Sequence, residues 1–419
     1  DFSIGDGFCD TNDSVGDGPC TLRAAIEEAN SLAGADNINF NIPGTAPFEI
    51  LTSALLPVIT TTVHIDGLTQ GGNCTTDAFS TPVVIVSANP ISYNTKLIFS
   101  TGSENSTLKG MKFESAHVGI ENTSDITLTC NWFNGTSIDE RDNLYILNSS
   151  NIMVGGANGV NNYRNYFFNA TRNGISIENS NFVSVWGNSI GLYETQTTQT
   201  AAGNENAGVW VTGTSSNIDI GYGSLPNSQC TQGCNIISSN LYGVLFQNIT
   251  GTTLTVGGNI FGFGRVALAD FGNGTGIEFN GDVHVTYNKI VASDTAISAS
   301  GSDWSIQSNW IGDVTLGNIR GIELGSLLQN TQIDSNVIMG NSLGISLLGE
   351  YNENFGPLDI TDNIIGLEAD GYTPAGNNTG ISFTTGNQAE GYWGNSTIEI
   401  SRNTISDNQM PFNNTNLSF

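Results

Sequence analysis

Basic residues are scarce in this chain of 419 residues. It has 11 Lys and Arg against 39 Asp and Glu, which gives a formal net charge of −28. Proteins bind nucleic-acid backbones and anionic membrane surfaces through clustered Lys and Arg, so this balance argues against both partners. An anionic polysaccharide would also be repelled, unless divalent cations such as calcium bridged the contact.

Long apolar runs and metal-binding cysteine pairs are missing too. No stretch of about 18 apolar residues is present, so we expect no membrane insertion. No signal peptide is visible, and because the chain begins at Asp1 we expect that a leader was removed. Zinc is poorly supported, since there is no Cys-x-x-Cys pair and the histidines are only His64, His117 and His284.

The six cysteines favour disulfides instead. An even count in an acidic, turn-rich chain is typical of an oxidising compartment outside the cytosol. Proximity favours Cys9–Cys20 and Cys230–Cys234, which leaves Cys74–Cys130, although six cysteines allow other pairings. The 51 glycines suit the tight corners of an all-β chain.

A short phrase, Asn-x-Ile or Asn-x-Phe, returns ten times at variable spacing. The copies begin at Asn131, Asn165, Asn188, Asn235, Asn259, Asn288, Asn309, Asn336, Asn363 and Asn403. A second phrase, Gly followed by Ile or Val, alternates with it, for example at Gly174 and Gly208. Interleaved repeats indicate stacked structural units. We expect each Asn to bond the backbone of its own turn and the Asn of the next unit.

Each repeat is predicted to contain three short strands. The clearest example runs from Gly174 to Ile190 and alternates apolar and polar residues, as strands with one buried face do. Strands of successive units would pair in parallel, with right-handed crossovers. The prediction is an all-β chain folded as a right-handed parallel β-helix. Longer gaps are interpreted as insertions at one corner, over residues 192–206, 222–233, 263–275 and 368–378.

The first 40 residues differ from the repeat. A helix is predicted over residues 21–30, because Leu22, Ile26 and Ala29 share one face and Thr21 can serve as N-cap. This amphipathic helix would cover the first coil, whose strand edges could otherwise pair with other chains. We therefore divide the chain into a disulfide-bearing segment with a helical cap, 1–40, and one continuous β-helix, 41–419.

The motif Cys20-Thr-Leu-Arg-Ala-Ala-Ile26 opens this helix, and the phrase Ile65-Asp-Gly-Leu-Thr-Gln70 follows. With them the chain resembles secreted right-handed parallel β-helix proteins of bacteria and archaea that begin with Cys-Ser-Leu-Arg-Glu-Ala-Ile. Thr21 replaces Ser and Ala24 replaces Glu, so the usual capping acid is missing. The resemblance covers nearly the whole chain. It implies the fold, export and an end cap, and it implies no particular activity.

Catalysis on such a scaffold would need clustered charged side chains. The basic residues of the repeat region include Arg172, Arg265, Lys289 and Arg320. Four aspartates recur near strand starts or ahead of the Asn corners, and could form the carboxylate row that a glycoside hydrolase needs: Asp282, Asp303, Asp334 and Asp362. Solvated corners and solvent-facing strand positions are the simpler interpretation, so no catalytic residue is assigned.

Two Gly-x-Ser-x-Gly matches, at Ser189 and Ser342, are rejected as nucleophiles. That motif works at a strand–turn–helix junction, and both copies fall at repeat corners. Several tryptophans could stack on sugars, although core or corner packing is the favoured interpretation: Trp132, Trp186, Trp304, Trp310 and Trp393.

The Asp-rich segment near the N-terminus resembles half of a calcium loop, with candidate ligands Asp6, Asp10, Asn12 and Asp17. Val15 stands where such a loop needs Gly, so a flexible disulfide loop is the alternative. Thirteen Asn-x-Ser/Thr sequons are candidate glycosylation sites: Asn12, Asn73, Asn105, Asn122, Asn134, Asn148, Asn169, Asn248, Asn273, Asn377, Asn395, Asn413 and Asn416.

Together these features predict an extracellular structural or adhesive surface protein. A filament, sheath or surface-layer subunit could self-associate through the ends of the β-helix. Carbohydrate is the other partner considered, and calcium is the cofactor considered. A polysaccharide-active lyase or glycoside hydrolase is the alternative function.

Overall fold

The computed structural model describes residues 3–11, 19–52, 54–74, 84–88, 96–135, 142–156, 163–194, 198–224, 230, 233–264, 270–326, 328–349, 356–385 and 397–414. The helices in these ranges are α1 (Leu22–Ser31) and a short 3-10 helix (Gly67–Gln70). The strands are β1 (Asp36–Asn39), β2 (Phe48–Thr52), β3 (Val63–Asp66), β4 (Val84–Ala88), β5 (Lys96–Phe99), β6 (Thr107–Lys109), β7 (Met111–Glu114), β8 (His117–Glu121), β9 (Thr127–Thr129), β10 (Trp132–Asn134), β11 (Leu144–Leu147), β12 (Ser150–Gly155), β13 (Tyr166–Phe168), β14 (Ile175–Glu178), β15 (Asn181–Trp186), β16 (Ser189–Ile190), β17 (Leu192–Glu194), β18 (Gln199–Ala201), β19 (Ala207–Gly213), β20 (Ser216–Ile220), β21 (Ile236–Ile237), β22 (Tyr242–Ile249), β23 (Leu254–Gly257), β24 (Ile260–Phe261), β25 (Thr275–Asn280), β26 (Val283–Thr286), β27 (Lys289–Ile290), β28 (Thr295–Ser300), β29 (Ser305–Gln307), β30 (Trp310–Ile311), β31 (Arg320–Leu324), β32 (Thr331–Asp334), β33 (Val337–Ile338), β34 (Leu343–Gly349), β35 (Leu358–Thr361), β36 (Ile364–Ile365), β37 (Thr379–Thr385), β38 (Ile398–Ser401), β39 (Thr404–Ile405) and β40 (Met410–Asn414).

Three long parallel sheets build the molecule. Sheet A contains β1, β3, β6, β9, β12, β15, β20, β23, β26, β29, β32, β35 and β38. Sheet B contains β2, β4, β7, β10, β13, β16, β21, β24, β27, β30, β33, β36 and β39, and sheet C contains β5, β8, β11, β14, β19, β22, β25, β28, β31, β34, β37 and β40. Each regular coil gives one strand to A, then B, then C. The predicted right-handed parallel β-helix is confirmed.

The core is a set of apolar rows along the helix axis. In sheet C, for example, Val209, Val244, Ile277 and Ile297 lie in register on successive coils, and all four are fully buried. Because side chains alternate between the two faces of a strand, the intervening residues point outward. Each coil therefore buries its apolar side chains against the coils above and below it.

The repeated Asn residues form one continuous hydrogen-bonded ladder at the corner between sheets A and B. Asn259 is typical: its Nδ2 donates to the Gly257 carbonyl of its own turn at 3.2 Å and to Asn288 Oδ1 at 3.0 Å. All ten copies are linked by such Nδ2–Oδ1 bonds between successive coils, from Asn131 to Asn403. The predicted role of the corner Asn is confirmed.

A second Asn ladder at the corner between sheets B and C was not predicted. Its members are Asn204, Asn240, Asn273, Asn318, Asn341, Asn377 and Asn408. Ser293 takes the place between Asn273 and Asn318, and its amide donates to Asn318 Oδ1 at 2.9 Å. Most of these residues stand three before the Gly of the second phrase, for instance Asn240 before Gly243, so an Asn-x-x-Gly spacing is the sequence signal for this ladder.

Helix α1 closes the first coil, as predicted. Thr21 is its N-cap, with the hydroxyl accepting from the Ala24 amide at 3.2 Å. Leu22 and Ile26 join the main core. Asn30 fixes the helix to the first coil, because its Nδ2 donates to the Val58 carbonyl at 2.7 Å. Neither helix of the described ranges is long and apolar enough to cross a membrane.

The insertions lie at two corners, so the prediction of a single corner was wrong. Residues 192–206, 263–275 and 368–378 leave sheet B toward sheet C, whereas residues 222–233 connect sheet A to sheet B. The spacing between Asn copies measures the length of a whole coil. It does not tell which of the three corners holds the extra residues.

Candidate functional site

The insertions cover part of the outer face of sheet B. Phe263 and Leu192 from the insertions pack on outward-facing Ile236 and Ile260. Trp132 is also covered, with the Tyr193 ring of the β17–β18 hairpin 5.7 Å away. This part of sheet B is therefore not accessible to a ligand. The outer face of sheet C is the better candidate for a binding surface.

One outer row of sheet C runs through successive coils in register; we call it the sheet C row. Its members are Gly119, Tyr145, Ser176, Trp210, Leu245, Glu278, Ser298, Glu323, Ser346, Ser382 and Asn413. Adjacent coils are roughly 4.8 Å apart. The row is thus a series of outward-pointing positions at nearly constant spacing that mixes aromatic, hydroxyl, carboxyl and apolar residues. Four of its side chains are buried: Ser176, Leu245, Ser346 and Ser382.

Tyr145 and Glu121 form the first polar group of this face. The Tyr145 hydroxyl donates to Glu121 Oε1, and Lys96 Nζ lies 5.4 Å from the centre of the tyrosine ring. The ring lies over Gly119 of the preceding coil, where a Cβ would collide with it. Burial, followed by the bond to Glu121 and its charge, raises the pKa of Tyr145. The phenol therefore stays protonated at neutral pH and acts as a hydrogen-bond donor.

Asp142 contacts polar residues of the following coil, and one of these reaches Trp210 on the coil after that. Its carboxylate accepts from Asn173 Nδ2 and from Ser176 Oγ, each at 2.8 Å, and Arg172 Nε is 4.0 Å away. The Arg172 guanidinium lies 5.2 Å over the Trp210 ring. On the far side, Trp210 Nε1 donates to Gln247 Oε1 at 3.3 Å. The half-buried indole is therefore held between neighbouring coils with polar groups around its edge.

Glu278 and Glu323 make the third group, two coils apart. Glu323 Oε2 is 3.5 Å from Arg320 Nε and accepts from Thr295 Oγ1 at 3.4 Å. Glu278 is half-buried, and no donor contacts its carboxylate in the part of the chain that the structure describes. Burial, and then the charge of Glu323, raises the pKa of Glu278. The two carboxylates thus differ in their surroundings.

Two arginines of the predicted charged set, Arg172 and Arg320, lie on this face, whereas Lys289 does not. Lys289 Nζ is 5.1 Å from the ring centres of both Phe263 and Trp310, and 3.3 Å from Asp313. It therefore ties an insertion to sheet B. Burial opposes the charge on Asp313, but bonds from Thr315 and the charge of Lys289 outweigh it and lower the pKa of Asp313. Arg265 lies outside the described residues.

The four aspartates do not form one row, which agrees with the favoured interpretation of solvent-facing positions and argues against the carboxylate row. Asp282 and Asp303 precede strands of sheet A, while Asp334 and Asp362 lie at the opposite ends of such strands. A strand separates the two pairs, because similar positions in sequence fall at different ends of the coil. Each aspartate has a partner of its own: His284, Asn330, Thr361 and Arg402 in turn.

The serine and tryptophan interpretations agree with the structure. Ser189 is fully buried in β16, Ser342 lies just before β34, and no helix follows either in the described ranges. Trp304 and Trp132 are buried, and Trp186 and Trp310 are half-buried at corner or strand positions. Trp393 lies outside the described residues.

The calcium ligands are only partly described. Asp6 accepts from the Phe8 amide at 2.9 Å, which closes a local turn, and Asp10 is buried. Asn12 and Asp17 fall outside the described ranges. Among the described residues, no group of three or more His, Cys, Asp or Glu side chains could hold a metal ion. The calcium site remains a prediction.

The disulfides follow the pairing that proximity favoured. Cys9–Cys20, Cys74–Cys130 and Cys230–Cys234 are joined, with Cα–Cα distances of 5.1, 6.0 and 5.2 Å. Disulfides persist in oxidising compartments, so they fit a location outside the cytosol.

The sequons divide by exposure. Six are exposed: Asn73, Asn105, Asn122, Asn148, Asn169 and Asn248. Asn134 and Asn413 are half-buried, and Asn12, Asn395 and Asn416 are not among the described residues. Asn273 and Asn377 are buried members of the second ladder. Their amides are enclosed and bonded, so the folded chain cannot carry a glycan on either, and both are withdrawn as candidate sites.

Sequence reasoning missed Trp210, Glu278 and Glu323 as site residues. Each stands two residues after the Gly of the second phrase: Gly208-Val-Trp210, Gly276-Ile-Glu278 and Gly321-Ile-Glu323. The intervening Val or Ile points into the core, so the next residue must face solvent. That offset of two residues is the sequence signal that marks the row.

The fold and the sheet C row define the chain as a parallel β-helix protein with a candidate binding face. No family model matches the sequence, and no curated protein matches it. Solved structures similar to it include a mutant of the periplasmic alginate epimerase AlgG (11% identity, TM-score 0.41, 88% of this chain and 83% of that one). Others are the Streptococcus pneumoniae surface protein and adhesin PfbA (10%, 0.32, 79% and 89%) and the tailspike of E. coli bacteriophage HK620 in complex with a pentasaccharide (12%, 0.27, 87% and 70%). At these values the likeness assigns no activity and no ligand.

Proposed function

We propose that the chain is an extracellular surface protein that binds polysaccharide along the outer face of sheet C. The observation that carries this proposal is the half-buried Trp210 in the sheet C row, with Arg172 over one face of its ring and Gln247 bonded to its indole nitrogen. An indole offers a flat apolar surface to a sugar ring. Guanidinium, amide and carboxylate groups around it can bond the hydroxyls of the same sugar.

The spacing of the row supports an extended chain of sugars. Adjacent coils rise by roughly 4.8 Å, which is close to the length of one pyranose unit in an extended polysaccharide. A chain lying along the helix axis would therefore meet a similar side-chain position at each sugar. The net charge of −28 makes a neutral or cationic polysaccharide a better ligand than an acidic one.

Assembly through the ends of the β-helix is less well supported. A head-to-tail filament needs two complementary ends. Helix α1 closes the first coil, with Leu22 and Ile26 in the core and Asn30 bonded to Val58 and Thr60. Stacking on that end would require α1 to leave. Adhesion through the side of the molecule requires no such change.

A polysaccharide-cleaving enzyme is the second candidate, and the pair Glu278 and Glu323 favours it. Two coils put the backbones of these residues roughly 9.6 Å apart along the axis. Side chains that lean toward each other from that spacing can bring the carboxyl groups within the roughly 6.5–9.5 Å of an inverting glycosidase. Analysing the polysaccharide by mass spectrometry after prolonged incubation separates the two functions. Shortened products that disappear in the Glu323→Gln variant would favour the enzyme.

Calorimetric titration of the full chain with a panel of neutral and amino polysaccharides tests binding. We expect Trp210→Ala to weaken binding of the best ligand by about tenfold or more, the equivalent of roughly 1.4 kcal/mol. The matched control is Trp186→Ala, because Trp186 is also half-buried but lies at the end of a sheet A strand. Equal affinity in the wild type and the Trp210→Ala variant, or no binding to any member of the panel, would refute the proposal.

A further inference from the structure

Glu278 is a carboxylate of the sheet C row that has no cationic partner among the described residues. Arg320 is 3.5 Å from Glu323, and Arg172 is 4.0 Å from Asp142, so each arginine of this face already has an acidic partner. Within the described ranges, neither a hydrogen bond nor an ion pair reaches the Glu278 carboxylate. The face therefore holds an unmatched negative group in the middle of its length.

An unmatched carboxylate in this position is electrostatically unfavourable. Glu278 is half-buried, which weakens its hydration, and Glu323 adds a like charge two coils away. A cation beside Glu278 would relieve both effects at once. Glu278 also lies two coils from Trp210 on the same row, with the buried Leu245 between them. A sugar chain stacked on the indole would extend over Glu278 within about two units.

We propose that Glu278 receives a protonated amino group of the bound ligand, which makes the ligand class a polysaccharide with free amines. This inference rests on the binding function proposed above and names its substrate class. A sugar ammonium is compact, donates up to three hydrogen bonds and needs only one carboxylate partner. The strongly negative molecule would also draw a polycation toward itself over a longer range.

A bound calcium ion fits these residues less well. Calcium needs six to eight oxygen ligands at roughly 2.3–2.6 Å, and Glu278 and Glu323 are separated by two coils, roughly 9.6 Å along the axis. Two carboxylates supply fewer oxygen ligands than calcium needs. No set of three potential metal ligands occurs in the described part of the chain, and Glu323 already contacts Arg320 and Thr295.

The test compares a β-1,4-linked glucosamine hexasaccharide with its fully N-acetylated form, by calorimetric titration of the full chain at a pH where the amines are protonated. The two oligomers have the same backbone and differ in the charged groups. We expect the amine form to bind at least about tenfold more tightly, as for one charge-assisted hydrogen bond. Glu278→Gln should remove that preference, by lowering the affinity for the amine form to that for the acetylated oligomer.

The matched control is Glu399→Gln, which removes the same charge from the outer face of sheet A. It should keep the preference, so that a change specific to Glu278→Gln cannot come from net charge alone. The titrations are repeated with excess chelator, and we expect no change. Three outcomes would overturn the amine assignment and leave polysaccharide binding intact. They are equal binding of both oligomers by the wild type, an unchanged preference in Glu278→Gln, and a preference that is lost on chelation. Failure of both oligomers and of the neutral panel would overturn the proposed function itself.

Discussion

Asn188 and Asn235 are 47 residues apart in the sequence, yet Asn188 Nδ2 donates to Asn235 Oδ1 at 3.2 Å. The whole insertion of residues 192–206 and the disulfide loop of Cys230 and Cys234 lie between them in the chain. The ladder therefore keeps its register whatever the length of the coil. The molecule therefore has two kinds of region: corners whose hydrogen bonds keep successive coils in register, and loops whose length and sequence can vary.

The ladder predicts a large cost for removing one of its members. Asn259 donates to the Ile220 carbonyl at 2.8 Å and to Asn288 at 3.0 Å, and accepts from Asn235 at 2.9 Å. Asn259→Ala leaves these buried groups without partners, so we expect a loss of about 2–4 kcal/mol in the free energy of unfolding. Urea unfolding followed by circular dichroism measures it.

The control for that variant is Asn37→Ala, since Asn37 is exposed in β1. Its stability should stay within about 0.5 kcal/mol of the wild type. If Asn259→Ala unfolded at the same urea concentration as Asn37→Ala, the ladder would contribute nothing measurable to stability.

The sequence predicts the stack much better than it predicts the site. Asn131 to Asn403 and the Gly-Ile phrases recur because every coil meets the same neighbours, so one structural requirement is repeated many times. Helix α1 was predictable for a different reason: Leu22, Ile26 and Ala29 fall on one face. Both signals are repetitions along the chain: coil by coil for the stack, and turn by turn for the helix.

The sheet C row carries no such repetition. Trp210, Glu278 and Glu323 share a position with Leu245 and Ser298, so residue type alone does not mark them. Their significance comes from which coils are adjacent and from what the insertions cover. The paired aspartates show the same limit, because the spacing of Asp282 and Asp334 does not reveal that they lie at opposite ends of their strands.

Helix α1 is expected to prevent association through the first coil. Ile26 is 1% exposed and packs on that coil. An aspartate there would be buried without a partner, so Ile26→Asp should detach the helix and expose unpaired strand edges. We expect concentration-dependent oligomers by light scattering, where the wild type stays monomeric.

Glu27→Ala is the comparison for Ile26→Asp, because it changes the neighbouring half-exposed position of α1, where Glu27 lies 3.7 Å from Arg23. Such a pair contributes about 0.3–0.5 kcal/mol. Oligomers in both variants to the same extent would show that the helix does not cover an adhesive end.

The disulfides should differ in their resistance to reduction. Cys230 and Cys234 are each 1% exposed and lie in an apolar cluster, while Cys20 is exposed to solvent. A thiolate reductant must reach the sulfur it attacks. Under native conditions Cys9–Cys20 should therefore open first, and Cys230–Cys234 only on unfolding. Alkylation with mass spectrometry at timed intervals gives the order, and early alkylation of Cys234 would contradict it.

Glu278 predicts a pH dependence with a definite sign. Its pKa is raised in the folded chain by burial and by Glu323, so the fold favours the protonated carboxyl. The cost of ionising Glu278 is therefore full above the raised pKa. It shrinks as the pH falls through that value and is gone below the ordinary glutamate pKa, about 4.3. Glu278→Gln should be more stable than the wild type at neutral pH, by less than about 1 kcal/mol because the side chain is half-exposed, and equal to it in acid.

Glu323→Gln should show no such gain, since it removes the partner of Arg320. Urea unfolding of the wild type and both variants at neutral and acidic pH measures these differences in stability. If Glu278→Gln were less stable than the wild type at neutral pH, the Glu278 carboxylate would already have a favourable partner in the absence of ligand.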